Sequence, residues 1–385
     1  MHSANLCSRV PDRFVVRVGA DSHRRHNLAT VAPPEMLEDF VVAITPDQFV
    51  ETYVAEMSAT AMNLDRLVTE TSGLDAAGMI AAFSDPRLGR LGIPLMADFM
   101  APQGSIYFDA IFGAYHGQTD IRAWLVPAMA EIDFVDFVPL AESVLFDDGQ
   151  GGTSLDEWQM VANIGDDKIP LSRGVSVRRF RDGWITWACD VYDTGTLRQP
   201  PPPEAGVAAA VLPPWPHVEW ITDSTVVPAA LSDGARKWID SRSAQRGAVA
   251  PEVVDHASGL SHQEIHDVLN DPIAGADFHL MSDLFHPTAS VYVDPLFGEF
   301  HGQAAIRGWI TDVKGKAGNL AFEPLGPALF DGTTSVQEWK QMAVLADGSH
   351  GMMLRGTSVR RFSDGWVVYA ADYFDTAPLV DVRQS

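Results

Sequence analysis

Two stretches of this chain read almost alike: "RGVSVRRFRDGWITWACDVYDT" at 173–194 and "RGTSVRRFSDGWVVYAADYFDT" at 355–376. Compared over 172–197 and 354–379, 15 of 26 positions match without gaps. The match continues upstream, where "SIYFDAIFGAYHGQTDIRAWL" (105–125) pairs with "SVYVDPLFGEFHGQAAIRGWI" (290–310). "SGL" recurs at 72–74 and 258–260, and "LMADFMAP" (95–102) answers "LMSDLFHP" (280–287). The repeating unit is therefore about 160–170 residues, the length of a domain rather than of a solenoid repeat. One architecture must be built twice, and any side chain kept in both copies can be read twice.

Between the copies lies "RQPPPPEAGVAAAVLPPWP" (198–216), whose four consecutive prolines favour extended polyproline II and exclude helix. The expected organisation is a disordered tail over 1–33, a first domain over 34–197, a Pro-rich linker over 198–217 and a second domain over 218–380. The tail has five arginines and two aspartates, but no continuous apolar core of the kind a signal peptide needs.

Within each copy helices precede strands. "TPDQFVETYVAEMSATAMNLDRLV" opens with Thr45 as N-cap, Pro46 at the first helical position and Gln48 closing a capping box. Ser261 and Glu264 repeat that signature in "SHQE". Gly73 and Gly259 are breaks before the second helices. "GQTDIRAWL" and "GQAAIRGWI" read as helices with Ile121 and Leu125, or Ile306 and Ile310, on one face. "SIYFD" and "SVYVD" alternate as strands, and Asp182-Gly183 and Asp364-Gly365 supply hairpin turns. Helices followed by a run of antiparallel strands predict an α+β fold.

The net charge of −24 argues against nucleic acid, which needs basic patches, and against anionic membrane surfaces. No apolar run approaches the length of a membrane span. The two cysteines, Cys7 and Cys189, form no C-x-x-C or Cys/His pattern, so no metal is expected. A cytoplasmic protein fits these totals.

Strand alternation selects the candidate chemistry. Trp184, Thr186, Ala188, Asp190 and Tyr192 share one face of the last strand of copy one. Trp366, Val368, Ala370, Asp372 and Phe374 share the matching face of copy two. Asp190 and Asp372 thus sit on mostly apolar faces beside a small alanine, an environment suited to a general base; a strand-end aspartate capping a turn is the plain alternative. Tyr107 with Asp109, and Tyr292 with Asp294, share the polar face of the earlier strand. Their plain alternative is a solvent face. His116 and His301 precede Gly-Gln and read as caps or surface residues before catalysts. Asp193 and Asp375 read as turn or cap residues. The "VRRF" arginines Arg178, Arg179, Arg360 and Arg361 read as surface ion pairs. Trp158 and Trp339 read as core or pocket wall. The aromatic set Phe112, Tyr115, Trp124, Phe297 and Trp309 suggests a large apolar or aromatic ligand.

The order of elements resembles the SnoaL-like branch of the nuclear transport factor 2-like superfamily. That superfamily includes ketosteroid isomerases, polyketide cyclases and limonene-epoxide hydrolases. "GAYHGQTDIR", "GEFHGQAAIR", "RG-x-S-V-R-R-F-x-D-G-W" and a closing strand ending "D-x-x-D" carry the resemblance. It covers roughly 40–197 and 218–380. It implies two tandem cone-shaped α+β barrel domains, each with helices packed in a curved antiparallel sheet around an apolar pocket, and it implies that the domains pair sheet to sheet, with further homo-oligomerisation open. Asp190 and Asp372 fall where cyclases and epoxide hydrolases of this branch place a base. Tyr107 and Asp109, and Tyr292 and Asp294, fall where those hydrolases hold water with a tyrosine and an asparagine. The hydrolases' Arg-x-Asp pair is replaced by Trp158-Gln159-Met160 and Trp339-Lys340-Gln341, which counts against that reaction. In ketosteroid isomerases one carboxylate moves a proton while a tyrosine and a protonated aspartic acid stabilise the oxyanion. The resemblance thus implies a cofactor-independent lyase, isomerase or cyclase acting on a small hydrophobic, oxygenated substrate. Its catalytic set would be Asp190, Tyr107, Asp109, Asp372, Tyr292 and Asp294, with His116 and His301 as further candidates and Trp158, Trp339, Phe112 and Phe297 as pocket wall. An epoxide hydrolase, or a non-catalytic binding or scaffold module, is the alternative.

Overall fold

The computed structural model describes residues 44–57, 63–110, 112–132, 134–195, 230–245, 253–271, 274, 277–317, 320–344 and 350–377. The expected tail and Pro-rich linker lie outside the described residues. The first repeat comprises α1 (Pro46–Met57), α2 (Ala76–Phe83), α3 (Gly92–Phe99), β1 (Ile106–Asp109), β2 (Gly113–His116), α4 (Gly117–Glu131), β3 (Val135–Pro139), β4 (Val144–Phe146), β5 (Gly151–Ile164), β6 (Asp167–Arg181) and β7 (Trp184–Tyr192). The second comprises α5 (Asp233–Gln245), α6 (His262–Asn270), α7 (Phe278–Asp283), β8 (Val291–Asp294), β9 (Gly298–His301), α8 (Gly302–Ala317), β10 (Leu320–Pro324), β11 (Leu329–Phe330), β12 (Thr334–Val344), β13 (His350–Ser363) and β14 (Trp366–Phe374).

Each repeat is α+β, and the two sheets have the same connectivity: β2-β1-β7-β6-β5-β3, and β9-β8-β14-β13-β12-β10. The sheets are mixed rather than wholly antiparallel, because β1 runs parallel to β7 and β8 to β14. No hairpin joins these pairs. A helix and several strands intervene, and a connection of that length permits parallel pairing.

Local signals decide several boundaries. Thr45 and Gln48 exchange their capping-box bonds, the Thr45 amide donating to Gln48 Oε1 at 3.1 Å. Ser261 and Glu264 do the same at α6. The helix read from Thr45 ends at Met57, short of Val68, and residues from Asn63 onward are not helical. Asp182 and Asp364 both have φ of 51°, followed by glycines at 75° and 78°, the two positive values a type I′ turn requires. A bulge follows each turn, with Arg179 opposite Trp187 but Phe180 opposite Ile185. Strict alternation therefore fails at Thr186, and Ile185 joins Ala188 in the core under the helices.

The two faces of each sheet have different work. One face packs against the repeat's own helices: Tyr107, Phe180, Ile185 and Ala188 meet Met57, Met79, Leu95, Phe99 and Ile121. The other packs against the sister sheet. Phe108, Val175, Val177, Cys189 and Val191 form one cluster with Val293, Val336, Val359, Ala371 and Tyr373. The expected sheet-to-sheet pairing is thus built within one chain.

Polar groups lock this interface in near-symmetric fashion. Glu157, 3% exposed, accepts from Tyr373 Oη at 2.5 Å and Tyr369 Oη at 3.2 Å, and pairs with Arg361. Glu338 accepts from Arg179 and Arg355, both at 2.7 Å. Arg179 and Arg361 are therefore not surface ion pairs, because each reaches a buried glutamate of the other repeat. Asp193 and Asp375 do cap their own turns, at Gly195 N and Ala377 N. Each also crosses over. Asp375 accepts from Thr194 Oγ1 at 2.8 Å and Asp193 from Thr376 Oγ1 at 2.7 Å.

The "HGQ-x-x-IR" motif is scaffolding. Gln118 Nε2 donates to Met100 O at 2.8 Å and its Oε1 receives Val68 N at 2.6 Å. Gln303 repeats both bonds with Phe285 and Val254. Arg122, with no exposed surface, donates to buried Asp98 at 2.8 Å, tying α4 to α3. Asp98 also accepts from Tyr53 Oη at 2.9 Å. In the second repeat Arg307 pairs with Asp283, and its Nε donates to Ser282 Oγ at 3.0 Å. Ala97 stands where Ser282 does, and Arg122 Nε has no partner among the described residues. Ala97→Ser should supply that acceptor. It is expected to raise stability by about 1 kcal/mol, measured by chemical denaturation.

Candidate active site

The site of each repeat lies on the helix-facing side of the sheet, where four strands bring four side chains into one chain of hydrogen bonds. Asp109 is level with Asp190 in the parallel β1–β7 pairing, and Ser176 lies opposite Asp190 across β6–β7. Tyr107 Oη donates to Asp190 Oδ2 at 2.5 Å. Ser176 Oγ donates to Asp190 Oδ1 at 2.6 Å, and Trp158 Nε1 donates to Ser176 Oγ at 2.9 Å. The second repeat reproduces the set. Tyr292 Oη donates to Asp372 Oδ2, Ser358 Oγ to Asp372 Oδ1 at 2.5 Å, and Trp339 Nε1 to Ser358 Oγ at 2.8 Å.

Glycine makes room for the tryptophan. A Cβ at Gly174 would lie 2.3 Å from the Trp158 ring, and one at Gly356 would lie 2.3 Å from Trp339. The "RG-x-S" motif is thereby explained. Gly and Ser are two residues apart and share a face, the first admitting the indole and the second taking its N–H. Ser176 and Ser358 were not among the candidates read from sequence. Their recurrence inside the motif, in register with the aspartates, was the available signal.

Asp190 and Asp372 are half-buried, and each keeps both oxygens engaged by hydroxyl donors. The tyrosines remain protonated. Burial, and then the adjacent carboxylate, push the hydroxyls of Tyr107 and Tyr292 well above the usual phenol range. Asp109 and Asp294 are buried at the strand ends. Asp109 accepts from Tyr192 Oη at 3.2 Å and from Phe112 N at 3.0 Å. In the second repeat Phe374 replaces Tyr192, leaving Asp294 to accept from Leu296 N at 2.8 Å and Phe297 N at 2.9 Å. Burial, and then repulsion from Asp372, push the Asp294 carboxyl up to about 7.

That shift has a consequence for stability. A carboxyl whose proton is held more tightly in the folded state costs nothing below its ordinary value of 3.8. The cost grows as pH rises and is complete above about 7. Asp294→Asn keeps an acceptor for both amides and removes the ionisation. It is expected to be more stable than wild type at pH 8, by on the order of 2–4 kcal/mol, with the difference vanishing below about pH 4 in urea titrations.

The remaining candidates divide. Trp124 stacks on Tyr115 at 4.3 Å and meets Tyr107 edge-on at 5.2 Å; Trp309 lies 4.5 Å from Tyr292. Phe112 and Phe297 are exposed at the β1–β2 and β8–β9 turns, 5.7 Å and 6.3 Å from those tryptophans, at the rim of the cluster rather than within it. His116 and His301 are not brought to the site. Each lies opposite Ile106 or Val291, on the face away from Tyr107 and Tyr292, and both are exposed. Among the described residues no three His, Cys, Asp or Glu side chains form a metal-binding group, and no helix is long and apolar enough to cross a membrane.

Residues 263–370 match the family described as SnoaL-like domain. The second repeat is a SnoaL-like domain. The first repeat copies its strand order and its Trp–Ser–Asp–Tyr chain, so the protein is a tandem duplication of one architecture. No match was found among curated proteins. Among solved structures, similarity extends to TerC co-crystallised with polyporic acid (20% identity, 29% of this chain and 88% of that one, TM-score 0.25). It extends also to a putative polyketide cyclase from Sinorhizobium meliloti (24% identity, 28% and 93%, TM-score 0.23). A third is an LEH-like epoxide hydrolase from M. tuberculosis (16% identity, 30% and 84%, TM-score 0.24).

Proposed function

We propose that the protein is a cofactor-independent general acid/base enzyme, a lyase, isomerase or cyclase, acting on a small hydrophobic, oxygenated substrate. The observation that carries this reading is the aspartate held by Ser and Tyr hydroxyls on the inner sheet face, built identically in both repeats.

In this reading Asp190 or Asp372 removes a proton from a carbon next to a carbonyl. The Ser hydroxyl, fixed by the tryptophan N–H, holds the carboxylate in one orientation. Charge develops on the carbonyl oxygen, and Tyr107 or Tyr292, together with the second aspartic acid, donates to it. With its carboxyl near 7, Asp294 carries a proton often enough at neutral pH to serve as that donor. The neighbouring Trp124 and Trp309 supply an aromatic wall.

The test needs no knowledge of the natural substrate. 2-Tetralone carries acidic protons beside a ketone on an aromatic frame, and their exchange in D₂O is followed by NMR. The full chain is expected to accelerate exchange above the buffer rate. Exchange at the buffer rate with 2-tetralone and with acyclic and polycyclic ketones alike would remove the proposal.

A further inference from the structure

The two repeats share their central chain of hydrogen bonds but differ one rung along the sheet. Arg178 and Arg360 lie opposite Ala188 and Ala370, which are themselves level with Tyr107 and Tyr292. Only the short alanine separates guanidinium from phenol. The Arg360 charge is close enough to act on the Tyr292 hydroxyl, and the Arg178 charge on that of Tyr107.

In the first repeat this charge is already answered. Arg178 pairs with Asp156 and packs over the Phe83 ring at 5.6 Å. Ile80 of the nearby helix α2 and its C-cap Ser84 line an open groove of about 520 Å³ with Leu140 and Ser143. In the second repeat Gln337 takes the place of Asp156 and turns away, its Nε2 donating to Gly326 O at 3.0 Å and Glu338 O at 2.6 Å. Helix α6 places His266 where α2 has Ile80, and Asn270 where it has Ser84. Arg360 Nη1 approaches Asn270 Oδ1 at 3.5 Å, and Asn270 Nδ2 in turn lies 3.2 Å from His266 Nδ1. His266 is buried, stacks on Phe330 at 4.8 Å and meets Ser335 Oγ at 2.8 Å. Burial, reinforced by the Arg360 charge, lowers it to about 4, so it is neutral at pH 7. A half-buried arginine that forms no ion pair among the described residues, and meets Asn270 only at 3.5 Å, is a receptor for an anion.

We propose that the second repeat carries an anion-accepting subsite, formed by Arg360, Asn270 and His266 beside the Tyr292–Asp372 pair, which the first repeat lacks. The second repeat then takes a ligand bearing a carboxylate or ionised phenol, and the first takes a neutral one. The inference rests on reading the inner sheet face as the ligand site, and specialises it: the duplication has produced two pockets with one chemistry and different specificities.

The test measures binding of 2-naphthoate and of its uncharged counterpart, 2-naphthamide, to the full chain by calorimetry. Wild type should prefer naphthoate by roughly tenfold or more, the scale of a charge-assisted contact. Arg360→Gln, and independently Gln337→Asp, which installs the first repeat's carboxylate, should abolish that preference. Naphthamide binding should survive both. Arg178→Gln should leave the preference intact, and Asp156→Gln should add a second naphthoate site. Equal affinity for the two probes in wild type, or a preference untouched by Arg360→Gln and Gln337→Asp, would overturn the subsite while leaving the proton-transfer reading standing. Binding of neither probe would overturn both.

Discussion

The double variant Asp190→Asn/Asp372→Asn should lose about 10²- to 10⁴-fold of the proton-transfer rate, the range that a positioned general base contributes. Asparagine keeps the size of the side chain and an acceptor for one hydroxyl, so the Ser176 and Ser358 contacts need not collapse. What disappears is the basic oxygen. Each single variant should retain the activity of the other repeat, because the two hydrogen-bond chains are separate constructions on separate sheets. A chemistry shared between the sheets would instead make either single change as severe as the double. The measurement is the 2-tetralone exchange rate of the two singles and the double, with near-ultraviolet circular dichroism confirming an unchanged fold.

Glu157→Ala should destabilise the protein by about 3–5 kcal/mol, the scale of removing one partner from a buried ion pair. Glu157 has almost no exposed surface, yet receives Arg361 and two tyrosine hydroxyls from the sister sheet. Its removal strands a guanidinium and two phenols in a largely apolar interface. Glu157→Gln should cost less, since the amide oxygen can still accept from Tyr373. The checks are the urea midpoint and the slope of unfolding. A separation of one transition into two would mean that the interface makes the repeats unfold together. An Ala variant as stable as wild type would mean that the apolar cluster around Val177 and Val359 suffices alone.

Much of this arrangement could be read from the chain, and for physical reasons. The Asp-Gly turns follow from the positive φ that only a few residue types tolerate, and the capping boxes from reciprocal bonds between residues three apart. Both are local, so sequence spacing carries them. Asp190 and Asp372 stood out because strand alternation puts them beside Ala188 and Ala370, and the structure keeps them there. Non-local partners were hidden. Nothing in "VRRF" says that Arg179 will cross to Glu338, or Arg361 to Glu157, because that pairing depends on how two sheets stack. The parallel seat of β1 beside β7 was hidden for the same reason.

Recurrence alone does not separate chemistry from scaffold. It drew attention to His116 and His301, whose motif serves the scaffold through Gln118 and Arg122, and whose side chains face away from the tyrosines. It left Ser176 and Ser358 unremarked inside the best-matched segment, where the serine looked like ordinary strand. His266 was missed because its counterpart is Ile80. The informative signal there was a difference between copies, which a search for identity passes over.

The central claim is that each Asp–Tyr pair forms the reacting corner of a ligand site. It is tested most directly by a crystal structure of the full chain with 2-naphthol, which mimics the enol of 2-tetralone. The naphthol oxygen is expected within about 3 Å of Tyr107 or Tyr292 Oη, with the adjacent ring carbon facing the carboxylate of Asp190 or Asp372. Naphthol bound only elsewhere, with both Tyr–Asp hydrogen bonds undisturbed and no ligand beside them, would contradict it.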